Sequence, residues 1–197
     1  SLGYNYRVSR MTVKDGQGNS VITNYSYDDV CFDQKLLLEP GSLCTQPDTT
    51  VDRGNIGGYR EVTATTLDYD GVTPILIRKT LYHREISKYG RPEQIDLMDG
   101  NSTLLTRTNN LYTVSTYSSY SVQFTFTSET ATEQFSGTTS ISSKIQYAYD
   151  TNYQKDPNDV AGQFGNLTHI YEFDDKNASV AYRTTRRWYD PNTADWI

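Results

Sequence analysis

The chain has 197 residues and a formal net charge of -6, with 18 lysines and arginines against 24 aspartates and glutamates. Its cations are dispersed apart from Arg186 and Arg187, which argues against a nucleic-acid partner because phosphate binding needs a concentrated positive surface. No apolar run approaches the length of a membrane helix, so we expect no membrane span. The 17 tyrosines, with abundant serine and threonine, favour strands and predict an all-β chain.

Three pairs of alternating stretches open the chain, and their period of two predicts β-hairpins. Each of the three predicted turns contains an aspartate followed by a glycine: Asp15 and Gly16, Asp70 and Gly71, Asp99 and Gly100. A closing tyrosine follows each turn aspartate at a nearly constant distance: Tyr27, Tyr82 and Tyr112. A constant distance keeps the register, because a slip of one residue moves every side chain to the other face.

Two more pairs follow. Val122, Phe124 and Phe126 alternate with polar residues, and Ile145, Tyr147 and Tyr149 alternate on the predicted return strand. The polar residues 128–140 between these strands are predicted to form the turn of this pair or a long loop. In the last pair, Leu167 to Phe173 is expected to lie opposite Val180, Tyr182 and Trp188, and Tyr189 is the closing tyrosine.

Repetition at a period of about 20 to 30 residues predicts a stacked or spiralling sheet, because one such unit cannot bury its own apolar face. We therefore interpret residues 1–197 as a single β-repeat segment of a larger protein, a curved sheet of consecutive antiparallel hairpins. An inserted loop is expected at 31–55, where the alternation gives way to Asp, Pro, Gly and Thr.

The two cysteines, Cys31 and Cys44, fall within this insertion. A disulfide between them would close a short loop and stabilise the fold by about 3 kcal/mol. Two unpaired thiols are the alternative. Zinc is disfavoured because no histidine lies near enough to complete a tetrahedral site.

No pattern predicts an enzyme or a cofactor. His83 and His169 lie on separate predicted strands, without the serine, cysteine or aspartate neighbours that nucleophilic catalysis needs. The aspartate clusters at Asp68 and Asp70 and at Asp174 and Asp175 are interpreted as turn residues. Half of a calcium loop is the alternative for the first cluster, Asp68 to Gly71. The closing tyrosines are interpreted as packing residues, with stacking on sugar rings as the alternative.

An ordered series of short motifs identifies a family resemblance. The series comprises YRVSRMTV from Tyr6, DGQGN from Asp15, GGYREVTAT from Gly57, YGRPEQID from Tyr89, LLTRTNN from Leu104, FGNLT from Phe164 and TTRRWYDPNT from Thr184. This series resembles the YD-repeat (Rhs-repeat) proteins, and is most similar to the shell region of SpvB-like and insecticidal toxin-complex B components. The likeness covers most of the chain in the same order.

The resemblance implies a strip of β-sheet that spirals into a hollow shell around a toxic C-terminal polypeptide, or a large secreted or cell-surface protein. Its implied partners are the remainder of the same repeat polypeptide, an enclosed cargo, and toxin-complex subunits. The chain contains none of the family's terminal self-cleaving core, so no protease residues are carried over. The insertion at 31–55 departs from the family's short connection.

The expected function is therefore that of a non-enzymatic wall segment of such a shell. The alternative is an extracellular β-module, similar to an adhesin, that binds carbohydrate or protein.

Overall fold

The computed structural model of this protein describes residues 7–32, 56–83, 86–88, 90–117, 122–149 and 166–187. Apart from one short 3-10 helix, Ile86–Lys88, the regular structure in these ranges consists of β-strands. The predicted all-β class, built from consecutive antiparallel hairpins, is therefore confirmed.

Ten strands lie within these ranges, and their order in the sheet is their order in the chain. They are β1 (Arg10–Lys14), β2 (Ser20–Phe32), β3 (Ile56–Leu67), β4 (Pro74–Tyr82), β5 (Pro92–Asp99), β6 (Leu104–Tyr117), β7 (Val122–Ser136), β8 (Thr139–Tyr149), β9 (Leu167–Phe173) and β10 (Arg183–Arg186). The chain divides into two compact units, Ser1–Arg107 and Thr108–Ile197, with the boundary inside β6. That residues 1–197 act as one repeat segment stays a prediction.

In the first unit, the register of β1 and β2 agrees with the predicted hairpin. Met11 lies opposite Thr23, and Val13 lies opposite Val21. Directly paired residues of antiparallel strands project to the same face of the sheet. Met11, Val13, Val21 and Thr23 therefore share one face, as the alternation of the sequence predicts.

The hairpin of β3 and β4 follows the same rule. Thr65 lies opposite Ile77, whereas the next residue along, Thr66, lies opposite Leu76. Because successive side chains of a strand alternate between faces, Ile77 and Leu76 project to opposite sides of the sheet. The predicted division of this strand into two partly apolar faces is confirmed.

In the second unit, residues 128–140 contain the turn between the two predicted strands, but the prediction of a loop over the whole segment is wrong. Strand β7 continues to Ser136, β8 begins at Thr139, and only Gly137 and Thr138 lie between them. Gly137 adopts the left-handed conformation that this tight turn requires, with φ of 59°. The segment is polar, but its threonines suit strands and its polar side chains have partners across the sheet, such as Ser140 on Glu133 at 2.8 Å.

The strand predicted to pair with β9 is also placed differently. The partners of β9 are Arg183–Arg186, with Arg183 opposite Glu172 and Arg186 opposite His169. Val180 and Tyr182 precede β10 and are 79 % and 64 % exposed. The apolar alternation misled here because β10 is held by backbone pairing with β9, and its own side chains are polar.

Few apolar side chains are buried in the described part of the chain. Ile22, Leu67 and Phe173 form the buried hydrophobic set, and none of the described side chains is fully buried. Contacts between the described strands join strands that follow one another in the chain. The described strands therefore bury few apolar side chains, fewer than packing against a second layer of structure would bury.

Several predicted features lie outside the described residues. Cys31 is within β2, at the start of the predicted insertion, and β3 begins directly after the insertion. Residues 33–55, including Cys44, are not described, and neither is Tyr189. The disulfide between Cys31 and Cys44 stays a prediction.

Candidate functional site

The predicted turn aspartates Asp15 and Asp99 make the same set of hydrogen bonds. The backbone N–H of Asp15 donates to the carbonyl of Asn19 at 3.2 Å, and its Oδ1 accepts N–H bonds from Gln17 and Asn19 at 2.8 and 3.1 Å. Asp99 repeats this pattern at identical offsets: its N–H donates to the carbonyl of Thr103 at 2.9 Å, and its Oδ1 accepts from the N–H groups of Asn101 and Thr103 at 2.9 and 2.8 Å. The same sequence signal therefore produces the same aspartate hydrogen bonds in both turns, although Gly16 has a positive φ of 76° and Gly100 does not.

Asp70 and Asp175 are variants of this turn. Oδ1 of Asp70 accepts from the N–H groups of Val72 and Thr73, both at 2.8 Å, and the Thr73 hydroxyl bonds its other oxygen. Asp175 accepts from the N–H of Asn177 at 2.7 Å. These carboxylates close their own turns and are not directed at a common centre.

The hydrogen bonds also lower the pKa values of three turn carboxyls. For Asp15 the main cause is the side chain of Asn19, for Asp70 the Thr73 hydroxyl, and for Asp175 the N–H of Asn177. Each bond favours the ionised form. A group whose pKa is lowered in this way is a poor general acid at neutral pH.

Glycine is required at Gly71 and Gly100 for different reasons. Gly71 has φ of 71°, a left-handed conformation that disfavours other residues. At Gly100 a larger residue would clash, because an added Cβ would lie 1.9 Å from the carbonyl oxygen of Pro74 on the neighbouring strand β4. The left-handed residue of that turn is Ser102, with φ of 67°.

The closing tyrosines have different surroundings. The Tyr27 hydroxyl donates to the Val8 carbonyl at 2.8 Å, and its ring centroid lies 4.9 Å from that of Tyr59. The guanidinium of Arg7 lies over both rings, 4.8 Å from the Tyr59 centroid. Tyr82 ends β4, where its carbonyl accepts a bond from Arg60, and Tyr112 lies within β6.

A charge ladder crosses one face of the first unit, formed by Glu61, Lys79, Asp96 and Arg107. Lys79 lies 2.7 Å from Glu61 and directly opposite Asp96. Arg107 donates two bonds to Asp96, from Nε and Nη2, each at 2.8 Å. The Arg107 bonds are the main cause that lowers the Asp96 pKa, with a smaller contribution from Lys79. The signs alternate from β3 to β6, so each charge is next to its opposite.

Sequence reasoning missed this ladder because its members come from four strands. A signal was present at Lys79, which interrupts the apolar face formed by Ile75, Ile77 and Leu81 on β4. Pairing the members of the ladder required the register between strands, which the local pattern does not contain.

A second polar cluster lies where β3, β4 and β5 meet. Arg60 and Glu93 form an ion pair at 2.5 Å, and Nδ1 of His83 lies 4.0 Å from the same Glu93 carboxylate. His83 follows the last residue of β4 rather than lying within the predicted strand. The Tyr59 hydroxyl is buried and meets no hydrogen-bond partner within the described residues.

In the second unit, Lys144 is buried at 9 % exposure. Its Nζ lies 4.5 Å from the centroid of Phe173 and donates to the Ala178 carbonyl at 3.1 Å. The contact with the ring face and the hydrogen bond compensate the buried charge. His169 stacks on Tyr171 along β9, with centroids 5.6 Å apart.

These groups hold strands and turns in place. Among the side chains that the structure describes, no three histidines, cysteines, aspartates or glutamates converge as a metal ion would require. In the same ranges, no helix has the length and apolar character needed to cross a bilayer.

Comparisons with known proteins do not assign this chain to a family. No family model matches the chain, and no curated protein matches it.

Proposed function

We propose that this chain is a wall segment of a secreted or cell-surface YD-repeat protein, whose sheet encloses a C-terminal toxin or another polypeptide cargo. The proposal combines the ordered motifs of the sequence with one structural observation. The first and third hairpins share the same aspartate hydrogen bonds, at Asp15 and at Asp99, with matching offsets, and the second hairpin has a variant of them at Asp70. A recurring hairpin is the unit from which a repeat wall is built.

The sparse core supports the same proposal. Met11 and Val13 are 45 % and 56 % exposed on one face of the first unit, and the buried hydrophobic set of the described residues has three members. A domain that works alone normally buries a contiguous core. A wall segment gains its missing burial from adjoining repeats and from what the wall encloses.

The polar contacts of the sheet suit a structural role. The carboxylates of the turns and of the charge ladder accept bonds from their own neighbours, which stabilises hairpins and register. A wall built from such hairpins acts by excluding solvent and other proteins from its interior, with no bond made or broken.

The test is to express the complete reading frame that contains this sequence and to image the purified product by electron cryomicroscopy. We expect further hairpins in register with β1 to β10 and a closed wall around polypeptide density. Protease protection provides a second readout, because an enclosed segment should resist digestion until the wall is opened with denaturant. A reading frame that ends near these strands, or a product with no enclosed polypeptide, would overturn the proposal.

A separate measurement on the chain itself distinguishes the adhesin-like alternative. A wall segment should bind a hydrophobic dye and self-associate through its exposed apolar faces. A monomer that melts sharply, binds no dye and retains a glycan ligand would favour the binding module instead.

A further inference from the structure

Tyr27 and Tyr59 bring two phenol rings together from neighbouring strands. Tyr27 lies on β2 and Tyr59 on β3, and these strands pair along the sheet. The ring centroids are 4.9 Å apart and the ring planes are tilted by 52°, within the range of aromatic rings in contact. Among the ring contacts between described residues, this pair alone joins two tyrosines. Two oxidisable phenols are therefore within reach of each other.

The pair is held from two sides. The Arg7 guanidinium lies over both rings, 5.8 Å from the Tyr27 centroid and 4.8 Å from that of Tyr59, an arrangement that attracts a cation to both ring faces. The Tyr27 hydroxyl donates to the Val8 carbonyl at 2.8 Å, whereas the buried Tyr59 hydroxyl has no partner in the described residues. The Tyr59 ring can therefore turn against the Tyr27 ring without breaking a hydrogen bond.

We propose that Tyr27 and Tyr59 form an oxidative cross-link site, at which hydrogen peroxide and a peroxidase join the two rings by a carbon–carbon bond. Each phenol gives up one electron and one proton, and hydrogen peroxide takes both electrons and both protons to become two water molecules. The two phenoxyl radicals couple at ring carbons beside the hydroxyls, and the hydrogens on those carbons move to the oxygens. The product is dityrosine, which is lighter than the starting pair by two hydrogen atoms.

Proximity, rather than exposure, selects this pair. Tyr69 and Tyr182 are 73 % and 64 % exposed, so an oxidant reaches them easily. Neither of them has a second tyrosine ring in contact within the described structure. A phenoxyl radical couples efficiently only with a partner that is already in place, because a held partner replaces a collision between molecules. Tyr27 and Tyr59 meet that condition.

The cross-link would join β2 to β3 covalently and close the chain between Tyr27 and Tyr59 into a loop. A covalent loop stabilises a fold mainly by restricting the unfolded chain. That contribution is useful to a sheet in which the described residues bury few apolar side chains. The inference concerns a modification within the sheet and does not depend on an enclosed cargo.

The test exposes the whole chain, at high dilution, to hydrogen peroxide and a haem peroxidase, and maps the cross-linked peptides by mass spectrometry. We expect dityrosine fluorescence and one main intramolecular product, which joins the peptides of Tyr27 and Tyr59 with the loss of two hydrogen atoms. The absence of this product would overturn the proposal. Cross-links spread over exposed tyrosines such as Tyr69 and Tyr182 would overturn it as well.

Conservative variants separate ring contact from exposure. Tyr59→Phe keeps the ring and removes the phenol, so it should abolish the intramolecular product. The matched control is Tyr69→Phe, which removes a better exposed phenol and should leave the yield unchanged. Circular dichroism checks that both variants keep the fold. Equal yields from the two variants would show that the contact between Tyr27 and Tyr59 does not select the site.

A gain of cross-linking in the second unit tests the same geometry. The rings of Phe126 and Tyr149 have centroids 4.8 Å apart, and the Tyr149 hydroxyl donates to the Thr127 carbonyl at 2.8 Å, much as Tyr27 donates to Val8. This pair lacks only the second phenol. Phe126→Tyr should therefore add a second product, which joins the peptides of residues 126 and 149. A folded variant in which this pair stays uncoupled would overturn selection by ring contact.

Discussion

The Arg107 guanidinium donates two parallel hydrogen bonds to the Asp96 carboxylate, both at 2.8 Å. The Asp96 side chain is 10 % exposed and that of Arg107 is 38 % exposed, so the pair is shielded on the acidic side and partly hydrated on the basic side. A bidentate pair of this kind fixes both side chains as well as attracting them. The pair therefore helps to set the register between β5 and β6.

The first prediction is that Arg107→Met destabilises the first unit by about 2 kcal/mol, because it leaves a nearly buried carboxylate without its main donors. Urea unfolding measures the change. The control is Arg183→Met, since Arg183 is 66 % exposed and lies 3.6 Å from Glu172, and an exposed pair contributes about 0 to 1 kcal/mol. Equal losses for the two variants would contradict the importance of the bidentate geometry.

The turn aspartates give the second prediction. Asp99→Ala removes the acceptor of two backbone N–H groups and should cost about 1 to 2 kcal/mol, as for the loss of a helix cap. Thermal unfolding followed by circular dichroism measures the loss. Asp174→Ala is the control, because this exposed aspartate adjoins the last turn and accepts none of its backbone bonds in the described structure. Matching melting temperatures for the two variants would rule out the capping role.

The third prediction concerns acid. The folded-state pKa values of Asp15, Asp70, Asp96 and Asp175 lie below their ordinary value of 3.8. A lowered pKa means that the unfolded chain binds protons more readily, so these groups stabilise the fold above pH 3.8 and lose that contribution as the pH falls through their folded values. We expect the free energy of unfolding to fall steeply below about pH 4.

Replacing one contributor tests the origin of this acid sensitivity. In Asp70→Asn the side chain cannot ionise, so the slope of stability against pH below pH 4 should decrease relative to the original protein. Urea titrations at several pH values give that slope. An unchanged slope would assign the acid sensitivity to other carboxyls.

The fourth prediction distinguishes two reasons for a glycine, a steric clash at Gly100 and a left-handed backbone at Gly137. Gly100→Ala should destabilise the protein by about 1 to 3 kcal/mol, the range for overpacking, because its Cβ would overlap the Pro74 carbonyl. The control is Gly137→Ala, at which the added Cβ meets open space and the cost comes from φ of 59° alone. Chemical denaturation of both variants is the measurement. A smaller loss at Gly100 than at Gly137 would contradict the close approach of the β5–β6 turn to β4.

Local patterns in the sequence determined the class of fold and the hairpins of the first unit. Alternation identifies a strand from its own residues, and an aspartate with a glycine specifies a turn through bonds that span a few positions, as at Asp15 and Asp70. Both signals lie within a short stretch of chain, so they can be recognised without knowing what lies beside it.

The tertiary structure alone decided which strands meet and what their side chains contact. Residues 128–136 and 139–140 lie in strands, and partners of their polar side chains, such as Lys176 at 2.5 Å from Glu133, come from a distant turn. Gly100 is tied to Pro74, and Asp96 to Arg107, through the pairing of β4, β5 and β6. Each of these relationships joins residues that are distant in sequence, so no local period encodes them.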